Sequence, residues 1–168
     1  MKQIATLLVL LIVFNANSQE EGKDQVKLAK IDRIPLSDED QIKELIGTFF
    51  QAMTSSDTTT LKIICMEDIS LQTTFTARNG NPVMKSEDFN DFLIAVATPK
   101  KEVWDERISN LNVQVDDNLG HAWMDYQFYI DITFSHCGVN SFQFIRTIEG
   151  WKILSIIDTR RKDPCTTN

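Results

Sequence analysis

The sequence predicts an α+β domain, with helices first and an antiparallel meander after them. Three observations predict it. Apolar residues recur at helical spacing from Ile42 to Met53; the period changes from 3.6 to 2 at about Arg107 and holds to about Arg161; and turn signals cut that second half into strands. The signals are Asp116-Asp117-Asn118, the region Asp131 to Thr133, and Glu149-Gly150. Four long strands follow with no crossover helix between them, so the sheet is expected to be antiparallel.

The elements follow in order. Met1-Lys2, the apolar run Ile4 to Phe14 and the small residues Ala16-Asn17-Ser18 have the layout of a secretory signal. An apolar run at about 1.5 Å per residue falls short of a hydrocarbon core of roughly 30 Å, which favours a cleaved signal over a membrane anchor. Residues 1–18 are therefore expected to be removed, giving a secreted or periplasmic chain with no membrane span. Residues 19–36 are polar and without periodicity and read as a flexible leader, and one domain is expected over 37–168. Ser37 followed by Asp38-Glu39-Asp40 reads as a helix N-cap with acids in the first turn. Ile42, Leu45, Ile46, Phe49, Phe50 and Met53 form that helix's apolar face. Asp57 is read as the cap of a shorter helix carrying Leu61, Ile64 and Cys65, and Ser86-Glu87-Asp88 as the opening of a third with Phe89, Phe92, Leu93 and Val96 inward. Between these two, Ile69 to Ala77 reads as a strand ending in the turn Asn79-Gly80-Asn81-Pro82.

Charge narrows the function. In 168 residues, 17 Lys and Arg face 24 Asp and Glu, a net −7 that argues against a nucleic-acid partner. The only tight basic cluster is Arg160-Arg161-Lys162. His121 and His136 lack metal-ligand spacing, and His136 and Cys137 point to opposite faces of a strand, so neither a zinc site nor a Cys–His nucleophile pair is expected. No Gly-rich phosphate loop and no cofactor motif occurs.

The order helix, short helix, strand, helix and four strands carries the text Tyr126-Gln127-Phe128-Tyr129, Ser135-His136-Cys137-Gly138-Val139-Asn140 and Gly150-Trp151-Lys152-Ile153-Leu154. It resembles the nuclear transport factor 2-like (SnoaL-like) superfamily over roughly residues 38 to 165. More narrowly it resembles the secreted bacterial branch labelled lumazine-binding, whose closing Asp-Thr-Arg and late cysteine are matched by Asp158-Thr159-Arg160 and Cys165. The resemblance implies a cone: a strongly curved antiparallel sheet wrapped around three N-terminal helices, cystatin-like, with a ligand pocket at its wide end. It also implies a flat aromatic or heterocyclic ligand and a homodimer formed through the convex sheet face.

Centring the turns on their signals pairs Val113 with Ala122, Phe128 with His136, Met124 with Asn140 and Phe144 with Ser155. Alternation then sends Arg107, Leu111, Val113, Ala122, Met124, Tyr126, Phe128, His136, Asn140, Phe142, Phe144, Trp151, Ile153, Ile157 and Thr159 to the concave face. Trp123, Asp125, Ile145, Leu154, Ile156 and Asp158 go to the convex one. Ligand contacts are expected from Trp104, Met124, Tyr126, Phe128, His136 and Asn140. His136 titrates near neutrality, Arg107 suits an anionic group, and Tyr126 or Asn140 suits a developing oxyanion, which together fit an isomerase, dehydratase or cyclase. The plainer reading makes His136 a hydrogen-bonded wall residue and pairs Arg107 with Asp105, Glu106 or Glu149. A one-residue slip would turn Asp125 and Asp158 inward as the acid–base candidates; alternatively Asp158 pairs with Arg160 along the strand.

The final hairpin puts Cys137 opposite about Lys162, with Cys165 three residues beyond, so a Cys137–Cys165 disulfide is expected and Cys65 is left as a buried thiol. Two function classes remain: the first choice is a secreted or periplasmic domain binding a small, largely apolar or heterocyclic ligand in the concave pocket without catalysis, and the alternative is a small isomerase, dehydratase or cyclase using His136, Arg107 and Tyr126. A buried carboxylate or His136 facing an open cavity favours the enzyme. A cavity filled by Trp104, Phe128 and Trp151 favours the module.

Overall fold

The computed structural model describes residues 35–99, 101–162 and 165, so the expected signal and nearly all of the leader lie outside the described residues. Helix α1 (Asp38–Thr54) starts where Ser37 accepts from the Asp40 amide at 3.2 Å, and it buries Ile42, Ile46, Phe49 and Ala52. Asp57 caps α2 (Thr58–Ile64) through the Thr60 amide at 3.0 Å. Asp88 caps α3 (Phe89–Ala97) through the amides of Asn90 and Asp91. Each cap satisfies amides that the first turn leaves unpaired. Cys65 is not on α2: it begins the first strand, where it is a buried free thiol.

Six strands form one sheet in the order β2-β1-β6-β5-β4-β3: β1 (Cys65–Thr76), β2 (Pro82–Glu87), β3 (Trp104–Asp116), β4 (Leu119–Ile130), β5 (Thr133–Thr147) and β6 (Gly150–Arg160). The α+β class, the three helices and the meander are as expected. Two features differ. Strand β2 had no sequence signal because its residues are almost all exposed, so no buried alternation marks it. Strands β1 and β6 pair in parallel, against the expected all-antiparallel sheet. No local crossover helix is needed there, because the connection is the whole of β2, α3 and the meander.

Three bulges set the faces of the meander, and a further register shift lies in β1 between Cys65 and Ser70. In β3 the pairing jumps from Ser109↔Asp125 to Asn112↔Trp123, beside Asn110 at φ 51°. In β5 it jumps from Phe128↔His136 to Tyr129↔Phe134, leaving Ser135 unpaired. In β6 it jumps from Gln143↔Ser155 to Phe144↔Ile153. Val113↔Ala122, Phe128↔His136 and Met124↔Asn140 are as read from the turns, whereas Phe144 pairs with Ile153 rather than Ser155. Because one extra residue reverses alternation, Arg107 shares the convex side with Gln127 while Glu106 stands beside Phe128 on the concave side. Likewise Ile156 and Asp158 turn inward beside Phe142 and Asn140, and Ile157 and Thr159 turn outward. Asp125 stays outward, where Asn110 donates to it at 2.8 Å.

The helices pack on the concave face. Phe142, Phe144, Ile153 and Met124 are fully buried with Ile42 and Ile46, each contributing on the order of 2–3 kcal/mol by leaving water. At one end Arg146 lies 4.6 Å above the Trp151 ring and pairs with Asp38, tying the start of α1 to the last hairpin. At the other, Cys137 is joined to Cys165 as a disulfide, with Cα atoms 6.2 Å apart. The backbone bridge beside it is Cys137↔Arg161, one residue earlier than expected: the hairpin closes at Thr147↔Gly150, which moves the pairing two residues from that read off the turn signal, and the extra residue in β6 restores one of them.

Candidate functional site

Between α1, α3 and the concave face lies a cavity of about 410 Å³, within the range of small-molecule sites. Its helix side is apolar: Phe49, Phe50 and Met53 from α1, Phe92 and Ala95 from α3. These are the residues that 3.6-period spacing turns toward the sheet but that the core does not entirely cover. Polar groups come from the sheet: Gln72, Thr73 and Glu87 from β1 and β2, and Glu106, Tyr126, Ser135, His136, Asn140, Asp158 and Arg160 from the meander. Of the expected ligand contacts, Trp104, Tyr126, Phe128, His136 and Asn140 line the cavity. Met124 does not, being fully buried in the core beneath. Arg107 is exposed on the other side of the sheet, paired with Asp105 at 2.8 Å and stacked 4.1 Å over Tyr129. It is not in the cavity. Trp151 is also absent from the lining, and the cavity is open.

The carboxyl of Glu106 is the central group. The Asn140 side chain donates to its Oε1 at 2.7 Å, and Oε2 has no hydrogen-bond partner among the described residues. Since no buried side-chain oxygen among the described residues lacks a partner, Oε2 must be accessible, and the accessible space beside it is the cavity. Burial pushes its pKa up to about 7; the Asn140 bond opposes this, and the nearby Asp158 charge adds to it.

Asp158 is held quite differently. It accepts from the Thr73 hydroxyl at 2.6 Å and from Arg160 Nε at 3.0 Å, with the Tyr126 hydroxyl 3.2 Å away. The Tyr126 hydroxyl also reaches the Thr159 carbonyl at 2.9 Å, so its single proton is engaged within the wall. Burial and then the Asp158 charge raise its pKa. This reach depends on Gly138: a Cβ there would stand 1.7 Å from the Thr159 carbonyl oxygen and 2.8 Å from the Tyr126 ring.

His136 stacks on Phe128 at 5.0 Å, with Tyr126 edge-on at 5.8 Å and the Ser135 hydroxyl 3.0 Å from Nδ1. Burial first, then the charges of Arg160 and Lys162, lower its pKa against the pull of Asp158, so the ring is neutral at pH 7. Where Ser135 donates to Nδ1, the other ring nitrogen carries the proton and is a hydrogen-bond donor. Among the described residues no cluster of three His, Cys, Asp or Glu is arranged to hold a metal ion.

Alternation from the turns missed Glu106 and Arg160 and placed Asp158 on the wrong face. Two signals were present: Ile108, two residues from Glu106, shares its parity, and Asn110 is a residue that tolerates left-handed φ in mid-strand.

No protein-family model matches the sequence, and no curated protein matches it. Solved structures do. An inferred dehydratase of the nuclear transport factor 2-like family from Streptomyces avermitilis superposes with TM-score 0.56 at 15% identity, covering 74% of this chain and 96% of that one. A nuclear transport factor 2-like protein with a cystatin-like fold from Novosphingobium aromaticivorans gives TM-score 0.57 at 15% identity, over 76% and 84%. From the same organism, the β subunit of an inferred aromatic-ring-hydroxylating dioxygenase gives 0.58 at 12%, over 77% and 92%. With its helices laid against one concave antiparallel-rich sheet, the chain shares the cystatin-like fold of these solved structures.

Proposed function

We propose that this chain is a small acid–base enzyme of the isomerase or dehydratase kind, acting on a flat, largely apolar carbonyl compound, with Glu106 as the proton-transferring group. The observation that carries the reading is Glu106 itself: a carboxyl with one oxygen tethered by Asn140 and the other open to an aromatic-lined cavity. A base whose pKa lies near 7 both accepts and returns a proton at neutral pH. In this scheme Oε2 takes the proton from the carbon next to the substrate carbonyl, and His136, neutral and stacked on Phe128, donates to the oxygen that gains charge. Arg107, on the opposite face of the sheet, has no part in this scheme, and Tyr126 acts through Asp158 rather than on substrate. The dehydratase name attached to one structural neighbour accords with this chemistry.

Incubation of the protein with 1-indanone and 2-tetralone in deuterated water, with mass spectrometry of the ketones, tests it. Exchange is expected to rise with pH through about 7, as Glu106 ionises. Glu106→Gln should retain ketone binding and lose exchange; undiminished exchange in that variant would overturn the proposal. A ligand-holding module without chemistry is the second reading, favoured by the apolar helix wall. Binding without exchange in the unaltered protein identifies it.

The convex face, with Trp123 50% and Ile157 38% exposed beside half-buried Ile145 and Leu154, supports a homodimer formed through it, with Ile157 in the place first given to Ile156. Light scattering that finds a monomer at micromolar concentration would remove the idea. Secretion by cleavage after Ser18 rests on the sequence of residues 1–18, and an N-terminus at Gln19 in the exported protein is its test.

A further inference from the structure

Two serine–histidine contacts occur among the described residues, and they differ in where they lie. Ser141 and His121 stand 3.2 Å apart, and neither lines the cavity. Ser135 and His136 both line it, with the Ser135 hydroxyl 3.0 Å from Nδ1. Neighbouring residues of an unbroken strand point to opposite faces; the β5 bulge leaves Ser135 unpaired and brings both side chains to the same cavity. The proton transfer assigned to Glu106 gives this serine no reaction of its own. We propose that Ser135 is a nucleophile, with His136 as its base, that takes the acyl group of small esters with an aryl or short alkyl body.

A serine hydroxyl attacks a carbonyl where a base within hydrogen-bond reach takes its proton, and that base must be uncharged and held in place. The 3.0 Å separation meets the first condition. Burial, and then the charges of Arg160 and Lys162, meet the second, since they lower the His136 pKa against the pull of Asp158. Packing meets the third: the ring stacks on Phe128 at 5.0 Å, with Tyr126 edge-on at 5.8 Å. With Ser135 as donor, the ring proton sits on Nε2 and the Nδ1 lone pair faces the hydroxyl, so no change of tautomer precedes attack. Arg160 lines the same cavity, gives only Nε to Asp158, and keeps both terminal nitrogens without a partner among the described residues. Those nitrogens are the donors for the oxyanion. The body of the ester lies against Phe49, Phe50, Phe92 and Trp104.

In the step itself, Nδ1 takes the hydroxyl proton while Oγ bonds to the carbonyl carbon and the C=O π pair moves onto oxygen. The pair returns as the bond to the ester's alkoxy oxygen breaks, and that oxygen leaves with the proton held by Nδ1. Water then repeats the sequence on the acyl-serine, releasing a carboxylic acid and restoring Ser135. Neither Glu106 nor a proton beside the carbonyl takes part, so this activity stands apart from the one proposed above.

Phenylmethylsulfonyl fluoride and ethyl octylphosphonofluoridate trap such a serine with an aryl and an alkyl body, and peptide mass spectrometry of the full chain locates the adduct. At least one reagent should mark Ser135 and leave Ser141 unmarked. His136→Gln, its fold confirmed by circular dichroism, should slow that labelling about 100-fold, the lower range for loss of a general base. Ser135→Ala should lower release of p-nitrophenol from p-nitrophenyl butyrate about tenfold or more, and Ser135→Cys, which keeps a nucleophile, should restore part of it. The proposal is overturned if neither reagent marks Ser135, if Ser141 is marked as fast, if the labelling rate survives His136→Gln, or if ester cleavage survives Ser135→Ala. An unmarked Ser135 in a protein that still exchanges deuterium through Glu106 removes this activity alone. A marked Ser135 without exchange removes the other.

Discussion

Strand β4 runs through the sheet without inserting an extra residue, whereas β3, β5 and β6 each carry a bulge. In β4 parity alone sorts the side chains: Ala122, Met124 and Tyr126 are buried and Trp123 is half exposed. In β3 and β6 parity reverses partway, and the reversal turns Glu106 and Asp158 into the cavity. The difference shows a division of labour: regular alternation builds the apolar face under the helices, and bulges aim the charged groups into the cavity.

The largest effect is expected at Gly138, on the regular part of β5 that crosses β6. A methyl group at this position meets the backbone carbonyl of Thr159, which has no room to withdraw without breaking its bond from Tyr126. Gly138→Ala should cost about 3 kcal/mol or more, the upper range for overpacking a close contact. Urea unfolding measures it. A loss under about 1 kcal/mol would mean that β5 and β6 separate easily here, and that the Tyr126–Asp158 arrangement is not held by close approach.

How far the sequence could be read follows the same line. The caps Ser37, Asp57 and Asp88, the β3–β4 turn and the paired residues along β4 are local signals, and each appears in its expected place, whereas the last hairpin closes one residue before its Glu149-Gly150 signal. The Cys137–Cys165 disulfide was legible because it needed only approximate register. Strand β2 was not, since an exposed edge strand has no buried side to alternate with. Glu106 was not legible because its inward position depends on an extra residue three to five positions downstream, and counting inward from a turn carries the wrong parity across a bulge. Arg107 was the mirror of that error. Its neighbour Asp105 supplied the surface ion pair that the plainer reading had offered.

Glu106 gives the next largest effect, one set by pH. Its folded pKa of about 7 lies above the ordinary 4.5, so the folded state holds the proton more tightly than the unfolded one. Stability attributable to this group is therefore full below about pH 4.5 and is lost as pH rises through 7. Glu106→Gln keeps an acceptor for Asn140 and has no charge to bury. Relative to the unaltered protein it should be nearly neutral at pH 4 and more stable at pH 9, by on the order of 2–3 kcal/mol. Thermal unfolding across this range is the measurement. A difference independent of pH would show that Glu106 is ionised and solvated in the folded chain, which would also remove it as the near-neutral base.

The smallest effect belongs to the bulge that turns Glu106 inward. Asn110 has φ 51°, a conformation that costs a residue with a Cβ about 1 kcal/mol or more and costs glycine nothing. Asparagine is among the side chains that tolerate it best, and here its amide also donates to Asp125 on the exposed side of the sheet. Backbone conformation and side-chain bond can be told apart with two substitutions. Asn110→Gly removes the bond and relieves the backbone, so its stability should change by only a few tenths of a kcal/mol. Asn110→Ala removes the bond and keeps the Cβ, so it should lose about 1 kcal/mol. Equal losses would assign the bulge to the Asn110–Asp125 bond instead. In both variants the pH-dependent stability of Glu106 should persist if the bulge is intact, and its disappearance would report that β3 had slipped and turned the carboxyl out of the cavity.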